Sequence, residues 1–338
     1  MRLLLLAGAR PQFIKAAALL PALRRVGEVC FVHTGQHVDP HMVEAHFPGL
    51  GLPKPDVRLE IAGGTRPERL GRMVDQLGGL LRRRATDRVV VMGDTDSTLA
   101  GALAASTAGI PLAHVEAGAR SGERDLPEEL NRILVDELSD RLFCSTPAHA
   151  ANLAGRDGVE LVGDVMADVL AAHTDAIRAE APTDALPYAV LTIHRAASAD
   201  DPERLERVLK AVASPSRRVL FPVHPRTARS LGALPSGVEA MPPESYLRFL
   251  GLVSGAEVVL TDSGGLQKEA YLLGVPCITL RDATEWGETI DAGWNLLAGT
   301  DPERIRAALA APPHSDGRPV LYGDGRAAER VAEALTSE

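Results

Sequence analysis

The chain has 338 residues, 45% apolar, 24% charged and 4% aromatic, a globular composition long enough for two domains of about 150 residues each. Its formal charge of −9 argues against non-specific nucleic-acid binding, and it has neither a basic block nor the roughly 20-residue apolar run of a membrane span. Three cysteines, Cys30, Cys144 and Cys277, stand singly in apolar runs without a CxxC pair, as reduced core residues of a cytoplasmic protein would.

The apolar stretch within Met1 to Ala7 is short and is followed by Arg10, Pro11 and Lys15, so it reads as a buried first strand and not as a secretory signal. Strand-like runs then alternate with helix-length segments. Strands are predicted at residues 2–6, 28–33, 88–92, 112–115, 142–145 and 159–162, then at 188–193, 218–223, 238–241, 258–261, 277–280 and 295–298. Two successive sets of this kind predict an α/β protein of two doubly wound, Rossmann-like domains. The Pro- and Ala-rich segment 178–187, after a helix-like 165–177, is the expected linker.

The first strand runs into Gly8-Ala9-Arg10-Pro11-Gln12-Phe13-Ile14-Lys15, where Pro11 suits the first helical turn and Arg10 stands at its entrance. Arg10 and Lys15 are candidates for phosphate or sugar; taken alone, each is also an ordinary solvated charge. Neither GxGxxG nor GxxxxGK[ST] follows, which weakens a nicotinamide dehydrogenase and a P-loop ATPase alike. His33, His37, His41 and His46 follow, but Gly35 breaks the segment and no cysteine or carboxylate completes a ligand set, so no metal is expected.

Two later strands end in Gly93-Asp94-Thr95-Asp96 and His114-Val115-Glu116-Ala117-Gly118. Open parallel sheets gather ligands beyond the carboxyl ends of their strands, so Asp94 and Glu116 are expected at one crevice. A third acid, Glu128, follows Pro127. Asp94 also reads as a helix cap and Glu128 as a first-turn dipole partner, whereas Glu116 interrupts an apolar strand end. In the second half, His194 and His224 each close a strand, as core, turn or ligand-facing residues. After strand 258–261, Ser263-Gly264-Gly265 provides the small residues of a turn whose N–H groups would face an anion at the next helix, with Glu269 within reach of a ribose. The same residues also fit an ordinary tight strand-to-helix corner.

Together these residues resemble the non-hydrolysing UDP-N-acetylglucosamine 2-epimerase family over nearly the full length. The resemblance rests on Arg10-Pro11 through Ile14-Lys15, Thr34-Gly35-Gln36-His37, Gly93-Asp94-Thr95, His114-Val115-Glu116-Ala117-Gly118, and Pro127-Glu128-Glu129 with Asn131-Arg132. It continues in His194-Arg195, Pro222-Val223-His224-Pro225, Thr261-Asp262-Ser263-Gly264-Gly265 with Gln267 and Glu269, and Arg281-Asp282 with Thr284-Glu285. No single motif is specific; their order and spacing are.

The resemblance implies a fold like that of the GT-B glycosyltransferases, with the active site in a central cleft. An N-terminal domain of residues 1–170, joined by a returning helix at 325–338, would carry the sugar and the acids, and residues 171–324 would bind UDP. The implied reaction is reversible epimerisation at carbon 2 of UDP-N-acetylglucosamine to UDP-N-acetylmannosamine, by anti elimination of UDP to 2-acetamidoglucal and re-addition. Asp94, Glu116, Glu128 and His194 would be catalytic. Arg10, Lys15, Glu244, Phe249, Ser263, Gly264, Gly265 and Glu269 would bind substrate and UDP. Gln36, Arg72 and His224 would belong to a pocket where bacterial members bind UDP-N-acetylglucosamine as an activator. No metal or other cofactor, no nucleic acid and no membrane is implied, and the expected state is a cytoplasmic homodimer.

Some positions depart from the family pattern. Gln12 stands where Glu is common, Trp286 replaces an arginine that contacts substrate, Ala196-Ala197 replaces Arg-Glu, and Asp39 replaces a residue of the regulatory pocket. Alternatives of the same class are a hydrolysing epimerase releasing UDP and N-acetylmannosamine, and an epimerase of UDP-diacetamido-uronic acids. A UDP-sugar glycosyltransferase would share the Ser263 and Glu269 half but should lack the three acids, and a non-catalytic nucleotide-sugar binder would not need them.

Overall fold

A computed structural model describes residues 1–36, 47–61, 63–183, 186–213 and 217–337. The chain divides into two compact units, Met1–Ala172 with Tyr322–Glu338, and His173–Leu321. The expected strands are all present, and each unit builds one parallel sheet from its share of them.

In the first unit the strands are β1 (Arg2–Ala7), β2 (Glu28–His33), β3 (Val57–Arg58), β4 (Arg88–Met92), β5 (Leu112–Ala117), β6 (Arg141–Cys144) and β7 (Val159–Leu161), in the order β3-β2-β1-β4-β5-β6-β7. Successive side chains of a strand point to opposite faces, so a strand covered on both sides must be apolar throughout. β1 shows this directly. Leu3 and Leu5 pack with Phe13, Leu19 and Leu23 of helix α1 (Arg10–Val26). Leu4 and Leu6 pack on the other face with Met73 and Leu77 of α2 (Arg66–Arg83) and Leu99 of α3 (Asp96–Thr107). Each such leucine moved out of water contributes about 1.5–3 kcal/mol.

This unit also includes α4 (Pro127–Leu138), α5 (Val165–Ala172) and the C-terminal helix Ala327–Ala334. The C-terminal helix packs on α1 and α5. Asp168 of α5 accepts the N–H groups of Ala327 and Ala328 at 3.0 and 2.7 Å, satisfying donors that the start of a helix leaves unpaired.

The second unit orders β8 (Tyr188–Thr192), β9 (Arg218–Pro222), β10 (Val238–Met241), β11 (Val258–Thr261), β12 (Cys277–Thr279) and β13 (Asn295–Leu297) as β10-β9-β8-β11-β12-β13. Its helices include α6 (Thr174–Ala179), α7 (Pro202–Val212), α8 (Tyr246–Ser254) and α9 (Gly264–Leu273). α7 buries Leu205, Val208, Leu209 and Val212, the spacing of one helical face, against Leu191 and Phe221. α8 and α9 cover the opposite face through Leu252, Val253, Leu266 and Ala270. Both sheets are doubly wound, with strand order reversing between β1 and β4 and between β8 and β11.

Two details differ from the sequence reading. The two-residue β3 was not anticipated, because it is too short to show a period. The expected helix 165–177 is broken at His173, and the change of unit falls there and not within 178–187. The cause is packing: Ile177 is buried and α6 rests on α8, which ties this segment to the second sheet. All three cysteines are buried and unbridged, and burial pushes the thiols of Cys144 and Cys277 up to about 12. No helix among the described residues is long and apolar enough to cross a membrane.

Candidate active site

The first crevice lies at the carboxyl ends of β1, β4 and β5. Between β1 and α1, Gln12 is buried and uses its whole amide: Oε1 accepts the N–H groups of Gly8 and Ala9 at 2.8 and 3.1 Å, and Nε2 donates to the Met92 carbonyl and the Thr98 hydroxyl at 2.9 Å each. A carboxylate has no donor for the last two contacts, which accounts for Gln in place of Glu. The amide thereby ties the turn carrying Arg10 to the turn carrying Asp94. Arg10 is the first residue of α1 and half-buried.

Lys15, on the buried side of α1, places Nζ 2.7 Å from Glu116 Oε2, with the two side chains only 7% and 12% exposed. Glu116 has φ 72°, the one positive value at a non-glycine among the described residues. It sits at a register shift between Val115 and Ala117 that takes its side chain out of the strand's alternation. Such a conformation costs about 1–3 kcal/mol and concentrates at functional sites. A methyl group built on Gly93 would lie 3.4 Å from Lys15 Nζ and 3.6 Å from Glu116 Oε1, so the turn before Asp94 abuts this ion pair.

Asp94 pairs with Arg132 of α4, whose Nη1 also lies 3.0 Å from Glu129 Oε2. Asn131 donates to the Asp94 carbonyl at 2.8 Å and to Asp96 at 3.2 Å, and Arg66 of α2 forms a two-pronged contact with Asp96. Glu129 accepts N–H groups from Ser121 and Gly122; burial opposes its charge, yet these bonds and Arg132 hold its carboxyl below the usual range. Glu128, in the first turn of α4, is half-buried and adds to the field that keeps Arg66 charged, after the larger contribution of Asp96. The acids read from the sequence thus stand among cations, of which the sequence reading assigned Lys15 but not Arg66 or Arg132. Arg132 was visible only as part of a motif, because its pairing with Asp94 spans 38 residues.

The second crevice lies at the ends of β8 and β11. Asp262, 1% exposed, accepts the N–H groups of His194 at 3.0 Å and Arg195 at 2.9 Å, and lies 2.9 Å from His194 Nδ1. Burial works against ionisation, but His194 and the two N–H donors outweigh it and hold Asp262 below the ordinary carboxylate range. Nδ1 of His194 is therefore turned onto Asp262, and the side chain is 40% exposed. The His224 ring centre is 5.8 Å from that of His194.

Ser263 caps α9, its hydroxyl accepting the Leu266 N–H at 3.4 Å, and Gly264 and Gly265 form the first turn. A methyl group on Gly264 would come within 2.2 Å of Glu285 Oε1 and 3.5 Å of Trp286 Nε1, so any larger residue here would have to displace the buried Glu285 carboxylate of the loop that follows β12. Glu285 pairs with Arg281 at 3.0 Å. Trp286 is buried, with Lys268 Nζ 3.9 Å from its ring centre, so a cation stands one turn into the helix whose entrance Trp286 borders. Glu269 accepts from the buried Tyr246 hydroxyl at 2.8 Å, a partner that the sequence did not reveal.

The other predicted residues are spread more widely. Glu244 contacts Arg248 at 3.1 Å, and Phe249 packs against the core beneath α8. Gln36 accepts from the Ser97 N–H and hydroxyl at the start of α3, while Arg72 donates to the Ile61 and Gly63 carbonyls. His37, Asp39, His41 and His46 lie outside the described residues. Among those described, no group of three or more His, Cys, Asp or Glu side chains could hold a metal.

Comparison with known proteins places the chain in a family. The family model of UDP-N-acetylglucosamine 2-epimerase matches residues 22–336. A Pseudomonas aeruginosa UDP-2,3-diacetamido-2,3-dideoxy-D-glucuronate 2-epimerase is 43% identical, with 99% of each chain covered. The crystal structure of Methanocaldococcus jannaschii UDP-GlcNAc 2-epimerase in complex with UDP-GlcNAc and UDP is 36% identical, covers 100% of both chains and superposes with a TM-score of 0.93. The glycosyltransferase VinC, solved with dTDP, shares the GT-B fold at a TM-score of 0.51 and 17% identity, covering 100% of this chain and 96% of its own. With the family model matching almost the whole chain, the protein belongs to the UDP-N-acetylglucosamine 2-epimerase family of isomerases.

Proposed function

We propose that the protein interconverts UDP-N-acetylglucosamine and UDP-N-acetylmannosamine by anti elimination and re-addition of UDP. The observation that carries this reading is the pair of carboxylates, Asp94 and Glu116, at neighbouring strand ends, each in contact with a buried cation. The hydrogen at carbon 2 has no adjacent carbonyl to acidify it, so direct deprotonation is unfavourable at neutral pH. Elimination avoids the carbanion. As a base takes that proton, the bond from carbon 1 to the diphosphate oxygen breaks with its electron pair going to UDP, and a double bond forms between carbons 1 and 2. Return of a proton to the other face of carbon 2 and attack of UDP oxygen at carbon 1 restore a UDP-sugar of inverted configuration.

Asp94, Glu116 and Glu128 supply the base and the acid on the two faces of the ring. Lys15 positions the sugar and the diphosphate. Arg10, His194 and the N–H groups of Ser263-Gly264-Gly265 hold the departing diphosphate, and Glu269 takes the ribose hydroxyls, with Glu244 and Phe249 completing the nucleotide site. In this reading the first unit acts on the sugar and the second binds UDP; the protein works as a homodimer, and Gln36, Arg72 and His224 serve a second, activating UDP-sugar.

A second reading, inversion at carbon 2 of a UDP-2,3-diacetamido uronic acid, is favoured by the 43% identical relative. Comparing kcat/KM for UDP-N-acetylglucosamine and the diacetamido uronate decides between them. Label placed in the oxygen bridging carbon 1 and phosphorus tests the elimination. It should exchange into the non-bridging positions of recovered substrate, and retention of all label in the bridge after many turnovers would rule out cleavage of that bond. Release of free N-acetylmannosamine with UDP would mark a hydrolysing enzyme.

A further inference from the structure

His114 and Asp136, both fully buried, lie behind the acid-bearing strand ends and have no part in the chemistry above. His114 is on β5, two residues before Glu116. Its Nε2 lies 2.8 Å from the carbonyl oxygen of Gly93, the residue before Asp94. A carbonyl only accepts, so that nitrogen carries a proton. On the other side of the ring, Nδ1 lies 2.7 Å from Asp136 Oδ1, a contact that requires a second proton between the two atoms.

Asp136 reaches β5 a second time. Its Oδ2 accepts the Gly118 N–H at 3.2 Å and pairs with Arg120 at 2.7 Å. One carboxylate therefore grips the strand end on both sides of Glu116, at residues 114 and 118, across the bulge where Glu116 takes its left-handed backbone. Through the imidazole, the same carboxylate reaches the turn that presents Asp94. Buried ionic groups are weak sources of net stability compared with apolar side chains of similar size. A hub that spans two acid-bearing turns has a different use.

We propose that His114 and Asp136 form a positioning unit that locks the Gly93-Asp94 turn to the Glu116 strand end and so fixes the spacing of the two carboxylates across the sugar ring. This rests on the reading of Asp94 and Glu116 as the acid and base pair. Neither His114 nor Asp136 touches substrate.

Two substitutions separate positioning from mere stability. In H114N the shorter amide still reaches Asp136 but not the Gly93 carbonyl, whereas in H114Q the longer amide reaches Gly93. With UDP-N-acetylglucosamine or the diacetamido uronate, whichever the wild type turns over, H114N should lose about 10–100-fold in kcat, the cost of a small misplacement, with KM little changed. H114Q should recover most of that loss even where both variants melt at similarly lowered temperatures. H114N with wild-type kcat per folded molecule, or equal losses in H114N and H114Q, would overturn the positioning role while leaving the epimerase reading intact. A wild type inactive on both sugars would instead remove the epimerase reading and the proposal with it. Should H114N fail to fold, nitrogen-15 histidine spectra of the wild-type protein provide the test. One histidine Nε2 proton protected from exchange with solvent is expected, and its absence would overturn the hub.

Discussion

The two crevices stand at the same place in two sheets of the same winding, yet their chemistry is opposite in kind. At the ends of β4 and β5, carboxylates face cations: Glu116 with Lys15 and Asp94 with Arg132, both pairs largely buried. At the ends of β8 and β11, the buried Asp262 is turned inward onto N–H groups and His194, and what faces outward is a helix entrance of Ser263, Gly264 and Gly265. The first arrangement suits the movement of protons and the second the holding of an anion. Strand order determined where the sites formed, and the residues at the strand ends determined what each can do.

If that division is right, substitutions should affect different observables in the two units. The largest effect is expected from E116Q and D94N, which keep shape and remove the charge: kcat should fall about 10²–10⁴-fold, while UDP affinity measured by calorimetry stays near that of the wild type. A parallel loss of UDP affinity would erase the contrast. Next, G264A places a methyl group 2.2 Å from Glu285 Oε1. Overpacking of that kind costs about 1–3 kcal/mol and should appear as weaker UDP binding, with melting temperature recorded alongside.

Smaller effects sharpen the picture of the second crevice. Y246F removes the hydroxyl that donates to Glu269. The loss of about 1 kcal/mol, roughly fivefold in UDP affinity, should be readable by calorimetry. The smallest effect concerns pH. Asp262 has a folded-state value below its ordinary one of about 3.9, so its contribution to stability is complete above that value and is lost as pH falls through the lower folded value. Melting temperature followed downward from about pH 6 should therefore show a shallower acid limit in D262N than in the wild type; parallel curves would mean that Asp262 is not held ionised by folding.

The residues that the sequence disclosed share one property: their signal is local. The apolar runs of β1, β4 and β11 are buried on both faces and read as strands without ambiguity, whereas β3 pairs through only Val57 and Arg58 and leaves no pattern. Glu116 drew attention because a charge interrupts a strand end, and its left-handed backbone is the structural counterpart of that interruption. Gln12 stands where Glu is common, and its amide is needed because both neighbours on its nitrogen side are acceptors. Partnerships were illegible. Lys15 and Glu116 lie far apart in the chain, as do Tyr246 and Glu269 on two different helices, and no spacing rule connects them. Trp286 likewise read as the loss of a cation, and only the structure shows Lys268 beneath its ring.

Proton transfer at carbon 2 is the central claim, and proton NMR in heavy water tests it most directly. The purified protein would be incubated with UDP-N-acetylglucosamine and, separately, with the diacetamido uronate, without added metal or nicotinamide. The account predicts a product of inverted configuration carrying deuterium at carbon 2, with the nucleotide still attached, and loss of that incorporation in E116Q or D94N. Inversion that retains the original hydrogen at carbon 2, or deuterium incorporation unchanged in both variants, would contradict it.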